Sequence, residues 1–440
     1  MTLPSKPSKK QKVFAKDLLD LIPDEVINEL AENLGVNKYV KKLDASLLFK
    51  LIIYSILSSE RISLRIMSHN MTETFFRSLV GNKNLEAVGH TGIRERLTKI
   101  DYTFFEKLYE IVYKRIEELY ETKSEMPYLL KRYDSTMIAT HSHLIAGMKV
   151  GNTTKNKIQV KITSEYTGNY LIRADFHTAQ KYLSEELALP SKILKDKLVA
   201  SNHTDLIDWS KEPSVEFHVF DNGLKGRNNF DILNNNRIAF ITKLKKNTRF
   251  DLSYPHWQDD GFQDSQRLEF IQDSIVRLYK SGGKLHPQPY RLVQYRNKEE
   301  DKIINFLTNV IGIDASQIAE MYRMRWDIEV LFRFLKQEMN LKHLVCNDPN
   351  AIKVMLYCQL IASMLVLIYK KQNNIKSYKI AKKQFVKELS NEIFLEILTS
   401  PELRVHIIKA LKEDFRKKGR PWPTSTRKQI SWELLSKAAA

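Results

Sequence analysis

Residues 214–244 read "SVEFHVFDNGLKGRNNFDILNNNRIAFITKL". "VEFHVF" alternates its side chains as a strand does. Asp221, Asn222 and Gly223 then mark a turn. "RNNFDIL" predicts a short helix and "RIAFITKL" a second strand. A helix between two strands predicts an α/β core. Upstream, "YLLKRYDSTMIA" (128–139) is β-branched and aromatic enough for a first core strand, and "HLIAGMKV" (143–150) follows. "KIQVKITSEYTGNYLIRADFH" (157–177) predicts a hairpin around Thr167 and Gly168, and a helix is expected across 180–199. Downstream, 246–300 reads as a β-rich insertion, with short strands "RLEFIQ", "SIVRLY" and "YRLVQY" separated by Pro, Gly and Asp. "KIINFLTN" (302–309) returns to strand.

The flanks differ. From 13 to 125 helical patterns dominate, as in "FAKDLLDLIPDEVINELAENL" and "YTFFEKLYEIVYKRIEELYE". The expected layout is a basic flexible arm (1–12), a helical N-terminal domain (13–125), an α/β core (126–345) containing the 246–300 insertion, and a helical C-terminal region (346–440). The last of these ends in the basic, Pro-broken tail "RKKGRPWPTSTRK".

At 440 residues the chain exceeds what one core usually serves, so two or three domains are expected. A hydrophobic share of 43% argues against wholesale disorder. The formal charge of +18 calls for a polyanionic partner, nucleic acid or an anionic membrane surface. The longest apolar run, "VMLYCQLIASMLVLIY", is only 16 residues and holds Gln359, so it reads as a buried helix rather than a bilayer span. "MTLPSKPSKKQK" is followed by no apolar stretch of the kind a signal peptide needs. Two cysteines, Cys346 and Cys358, can build neither a disulfide framework nor a metal cluster. The balance reads as a soluble, cytoplasmic, anion-seeking protein with no membrane partner.

The chemistry concentrates in "EMYRMRWDIEVLFRFLKQEMNLKHL" (320–344), read as one helix because it lacks Gly and Pro. At 100° per residue, Tyr322, Arg325, Glu329 and Lys336 fall within about 60° of one another. Trp326, Val330, Leu331, Phe334 and Leu335 are assigned to the apolar side. An ordinary amphipathic helix with ion pairs would explain much of this, though not Tyr322. Asp134 sits inside a strand, where a carboxylate is costly to bury without a cation. Asp221 ends another strand, the end at which sites form in open α/β sheets, although Asp before Asn-Gly is also ordinary turn chemistry. If Asp134, Asp221 and Glu329 converge, they need a hard cation, two Mg²⁺ or Mn²⁺ ions, as in phosphoryl transfer. Arg325 and Lys336 would then hold phosphates, and Tyr322 would donate a hydrogen bond to one.

Asp134 in "YDSTMI", Asp221 in "VFDNGLKGRNNFDIL" and the Tyr-x2-Arg-x3-Glu-x6-Lys pattern at 322–336 resemble the DDE transposases of bacterial insertion sequences, most closely the insertion-sequence-four family. The resemblance covers about 128–370 and extends less specifically to "SERISLRIM" near the start. It implies an RNase H-like catalytic core with the triad Asp134, Asp221 and Glu329. It also implies Mg²⁺-dependent cutting of double-stranded DNA at inverted-repeat ends, then attack on target DNA by the freed 3′-hydroxyl. A homodimer on DNA, nucleoid association and a hairpin intermediate with a flipped base belong to the same expectation. Trp257 in "SYPHWQDD" is the candidate for stacking that base, against the alternative of a core tryptophan. Family members often carry Arg or Lys directly after the second aspartate. Asn222 stands there in this chain, leaving Lys225 and Arg227 as substitutes. The rival readings are a structure-specific nuclease on the same core and a non-catalytic DNA-binding descendant. A zinc hydrolase using His141, His143 and His177 or His203 is the least favoured, because no fourth ligand has the right spacing.

Overall fold

The computed structural model describes residues 12–81, 85–120, 128–140, 148–149, 158–168, 170–194, 205–212, 216–224, 226–254, 267–280, 282–346 and 348–401, with Val405 and Arg416 singly. Lys225, His141, His143, His203 and Trp257 lie outside the described residues. The chain divides into two units, one of residues 1–115 and 335–440, the other of residues 116–334.

The first unit is helical among its described residues. It holds α1 (Ala15–Leu19), α2 (Asp24–Asn33), α3 (Ala45–Ser58), α4 (Leu64–Asn70), α5 (Thr74–Leu79), α6 (His90–Lys99) and most of α7 (Thr103–Leu119). The chain returns to it with α12 (Pro349–Gln372) and α13 (Tyr378–Thr399). Asp348 caps α12 by accepting from the Ala351 N–H at 2.9 Å, and Pro349 occupies the first turn, where its missing N–H costs nothing. The apolar run read as a buried helix lies in α12, whose most apolar window is 94% buried. Helices α3, α6 and α13 pack around it. Gln359, the polar residue in that run, donates to the Asn340 carbonyl at 3.0 Å.

The second unit is built on a ten-stranded mixed sheet. Its strands are β1 (Leu130–Thr140), β2 (Met148–Lys149), β3 (Ile158–Thr167), β4 (Leu171–His177), β6 (Phe217–Phe220), β7 (Ala239–Lys243), β8 (Phe250–Tyr254), β9 (Leu268–Tyr279), β10 (Leu285–Asn297) and β11 (Lys302–Thr308), while β5 (Ile207–Asp208) and β12 (Val310–Ile311) pair separately. The order runs β2-β3-β1-β6-β7-β11-β10-β9-β8, with β4 also on β3. Strands β1, β6 and β7 are parallel neighbours, and the other pairings in the sheet are antiparallel. The helices are α8 (Glu185–Ile193), α9 (Arg227–Asn235), α10 (Ala315–Arg323) and the greater part of α11 (Trp326–Gln337).

Both faces of the sheet's centre are covered, which is why "VEFHVF" and "RIAFITKL" carry apolar residues at successive positions. Phe217, Val219, Ala239 and Ile241 pack with Ile318 and Met321 of α10. Their neighbours Phe220, Ile238 and Phe240 pack on the other face with Leu189 and Ile193 of α8 and Phe230 and Leu233 of α9. This is the period-2 division that a strand imposes. The α/β class expected from the sequence is the one observed.

Two local expectations need correction. "RLEFIQ" and "SIVRLY" form one strand, β9, whose partner β10 absorbs the proline-bearing stretch through register shifts. The strands at 246–300 continue the main sheet beyond β11. The expected helix at 180–199 is a 3₁₀ turn, Gln180–Leu183, followed by α8; residues 195–200 lie outside the described set.

Candidate active site

Register brings the two aspartates together. Tyr133 of β1 lies opposite Phe220 of parallel β6, so Asp134 and Asp221 are the next residues on neighbouring chains. Such strands lie about 4.8 Å apart. Leu130 and Phe217 face α10, and alternation puts Arg132, Asp134, Val219 and Asp221 on that same face. Asp221 sits one residue past the β6 end, with Asn222 and Gly223 turning the chain towards α9.

The helix carrying the other candidates is not continuous. Residues 320–344 form the end of α10, a break at Met324 and Arg325, and then α11. At the break the N–H groups of Arg325, Asp327 and Ile328 donate to carbonyls three residues back, tightening the turn. At the far end Asn340, with φ of 62°, stops the helix, and the Leu341 N–H closes onto the Leu335 carbonyl. Trp326 is 54% exposed and does not join the apolar side. At 100° per residue it stands only about 40° from Tyr322, nearer the polar face than the buried one. Leu331, Phe334 and Leu335 are buried as expected.

Across the break, Tyr322 of α10 donates its hydroxyl hydrogen to Asp221 Oδ1 at 2.9 Å. Arg325 Nη2 donates to Glu329 Oε1 at 2.7 Å, and the guanidinium lies 5.6 Å from the Tyr322 ring centre. Arg325 is buried, and its Nε has no hydrogen-bond partner. The Asp134 carboxyl is pushed up to about 6. Burial is the main cause, Glu329 and Glu185 add to it, and the Ser135 N–H and Arg325 oppose it. Burial, then the Asp221 charge, raises the Tyr322 hydroxyl. Burial is the largest influence on Arg325 and lowers its pKa, but the bond to Glu329 and the charges of Tyr322, Asp221 and Glu329 together outweigh it and raise it.

Asp134, Asp221, Tyr322, Arg325 and Glu329 thus belong to one neighbourhood of the second unit. Among the described residues, however, no three His, Cys, Asp or Glu side chains are grouped closely enough to hold a metal ion. Two of the three acids are engaged instead by Tyr322 and Arg325, which relieves the repulsion three carboxylates would otherwise feel. Lys336 follows Glu329 by two turns of α11, is partly buried, and belongs to the first unit.

Further polar residues surround Asp134 that the sequence reading missed. Ser135 donates to Glu185 Oε2 at 3.0 Å, and Glu185 Oε1 pairs with buried Lys161 at 2.6 Å. A Cβ on Gly223 would stand 2.9 Å from the Glu185 side chain, so this acid lies against the loop after Asp221. Arg132 Nη1 meets Asp327 Oδ2 at 2.8 Å. One signal was legible: Arg132 stands two residues before Asp134, hence on the same face of the strand.

A family model described as "Transposase DDE domain" matches residues 133–365, from within β1 to within α12. The chain belongs to the DDE transposase family. The resemblance read from the sequence is thereby borne out at that level. Several relatives carry transposase names. The protein named transposase y4zB of Sinorhizobium fredii is 28% identical over 158 residues, covering 36% of this chain and 44% of that protein. The transposase of insertion sequence element IS4SA of Synechocystis is 29% identical over 131 residues, 24% of this chain and 39% of its own. The transposase of IS421 of Escherichia coli is 36% identical over 78 residues, 17% and 21% of the two chains. Each match spans less than half the relative's length.

Proposed function

We propose that this family member is an insertion-sequence transposase of the insertion-sequence-four type. In this reading it cuts double-stranded DNA at the inverted repeats and joins the freed 3′-hydroxyl to target DNA, by cut-and-paste through a hairpin. The observation that carries the reading is the register of Asp134 and Asp221 on neighbouring parallel chains, with Tyr322 and the Arg325–Glu329 pair beside them. The meander β4-β3-β1 continued by parallel β6 and β7 supports an RNase H-like core.

Asp134, Asp221 and Glu329 are the residues that would hold divalent ions. Their donor set is all oxygen, which suits two Mg²⁺ or Mn²⁺ ions. The raised Asp134 carboxyl fits as well, because a buried acid between Glu329 and Glu185 gains from a cation as it does from a proton. Ions held by these three carboxylates would supply activation of an attacking hydroxyl and neutralisation of charge on the leaving oxygen. Tyr322 orients Asp221, and Arg325 releases or shares Glu329. The Arg325 guanidinium, a planar fork, is suited to phosphate oxygens once it gives up Glu329. Lys336 contributes a point charge to backbone binding. A net charge of +18 supports DNA as the partner, engaged by a homodimer on the nucleoid, with the helical 13–125 segment reading the ends.

The test is a supercoiled plasmid carrying the inverted repeats that flank the coding region, incubated with Mg²⁺ or with EDTA. Excision with insertion elsewhere is expected in Mg²⁺ only. Nicking alone would make the protein a nuclease, and binding without cleavage a non-catalytic descendant. Asp134→Ala, Asp221→Ala and Glu329→Ala should each abolish cleavage and leave DNA retention in gel-shift assays nearly intact.

A further inference from the structure

We propose that the Arg132–Asp327 ion pair is a positioning device that sets α11, and with it Glu329, against β1 and Asp134. The inference rests on the divalent-ion site of the transposase reading, and not on strand transfer or cleavage.

Arg132 is 1% exposed, one of the largest fully buried side chains in the protein. Nη1 meets Asp327 Oδ2 at 2.8 Å, Nη2 donates to the Gly168 carbonyl, and the guanidinium lies 4.4 Å from the Tyr166 ring centre. Gly168 is the turn between β3 and β4, and Tyr166 is the register partner of Arg132 on β3. The guanidinium is therefore locked to β3 and to the turn that follows it. A planar fork held in this way cannot follow a moving partner, so the carboxylate must come to it. That carboxylate is in the first turn of α11, two residues before Glu329. On β1, Arg132 stands two residues before Asp134 on the same face. One ion pair thus ties the strand bearing one acid to the helix bearing another, at equal offsets along the two chains.

An apolar contact could join a helix to a sheet with less desolvation, because burying a guanidinium is expensive. What an apolar contact does not supply is a fixed direction and register. Metal ligands need that, since their supporting partners commonly change affinity or activity 10- to 100-fold when removed.

The test compares full-length wild type with Asp327→Asn and Asp327→Glu. Mn²⁺ binding is followed by electron paramagnetic resonance with saturating duplex DNA, and melting by circular dichroism. Asp134→Asn serves as the marker for loss of the site. Asp327→Asn should weaken Mn²⁺ binding about tenfold below its melting range, and Asp327→Glu, which keeps the charge, should recover most of it. Unchanged Mn²⁺ affinity in Asp327→Asn overturns the proposal, as does a loss that Asp327→Glu does not relieve. If Asp327→Asn fails to fold, Asp327→Glu decides alone, and a loss as large as that of Asp134→Asn overturns the proposal. Wild type that binds Mn²⁺ but does not nick the plasmid in Mg²⁺ overturns the transposase reading while the Mn²⁺ comparison still judges the ion pair. Wild type that binds no Mn²⁺ overturns both.

Discussion

Asp134 shows how one side chain can be set against the fold that holds it. Burial lifts its carboxyl from 3.8 to about 6, so folding takes up a proton there between those values. The corresponding stability is complete below about pH 3.8 and is lost as the pH rises through 6. At neutral pH the ionised carboxylate costs on the order of 3 kcal/mol. In EDTA, Asp134→Asn should therefore melt higher than wild type at pH 8, with the difference shrinking towards pH 4. A variant that melts lower at pH 8 would mean that the carboxylate is stabilised by neighbours other than a cation. Tyr322 belongs to the same scale. Removing its hydroxyl strips Asp221 of a charge-assisted bond of about 1.5–3 kcal/mol. Tyr322→Phe should slow plasmid cleavage roughly 10- to 100-fold with end binding unchanged, as read by single-turnover kinetics and gel shift.

At the scale of elements, the site depends on how the loop after β6 meets α8. Gly223 has no room for a Cβ, because the Glu185 Cβ and Cγ would be 2.9 Å away. Glu185 in turn is held by Lys161 and Ser135 and cannot retreat without breaking both contacts. Gly223→Ala should cost about 2 kcal/mol in chemical denaturation and slow cleavage, since the strain falls two residues from Asp221. A fully stable Gly223→Ala protein would show that α8 yields instead. The strand-turn-helix-strand order around this loop was legible because apolar runs and turn residues are local signals. The interruption between α10 and α11 was not. No Gly or Pro marks it, and Met324 and Arg325 are ordinary helix formers. The break accompanies contacts distant in sequence, Tyr322 with Asp221 and Asp327 with Arg132. Trp326 was misassigned for a different reason: its aromatic character suggested the apolar side, although the wheel itself puts it about 40° from Tyr322.

For the molecule as a whole, charge is the property that sequence alone makes plain. With 70 Lys and Arg against 52 Asp and Glu, binding to DNA should fall steeply with salt. Lys336→Ala should weaken end binding and reduce the salt slope by about 1, measured by fluorescence anisotropy across a salt series. An unchanged slope would mean that Lys336 touches no phosphate. The division into two units was less accessible. Nothing local in 346–440 announces that it folds with residues 1–115, because the burial of α12 by α3 and α6 is a long-range contact.

Residue order alone determined the class of the fold and its basic character, because periodicity, charge and turn chemistry act over a few residues; it nominated Asp134, Asp221 and Glu329 as candidates. Tertiary structure alone decided that Asp134 and Asp221 share a register and that Tyr322 and Arg325 occupy two of the acids. It also decided that Arg132 reaches α11. Those outcomes depend on strand pairing and packing between segments up to 195 residues apart, and no local pattern encodes the spacing across such a gap.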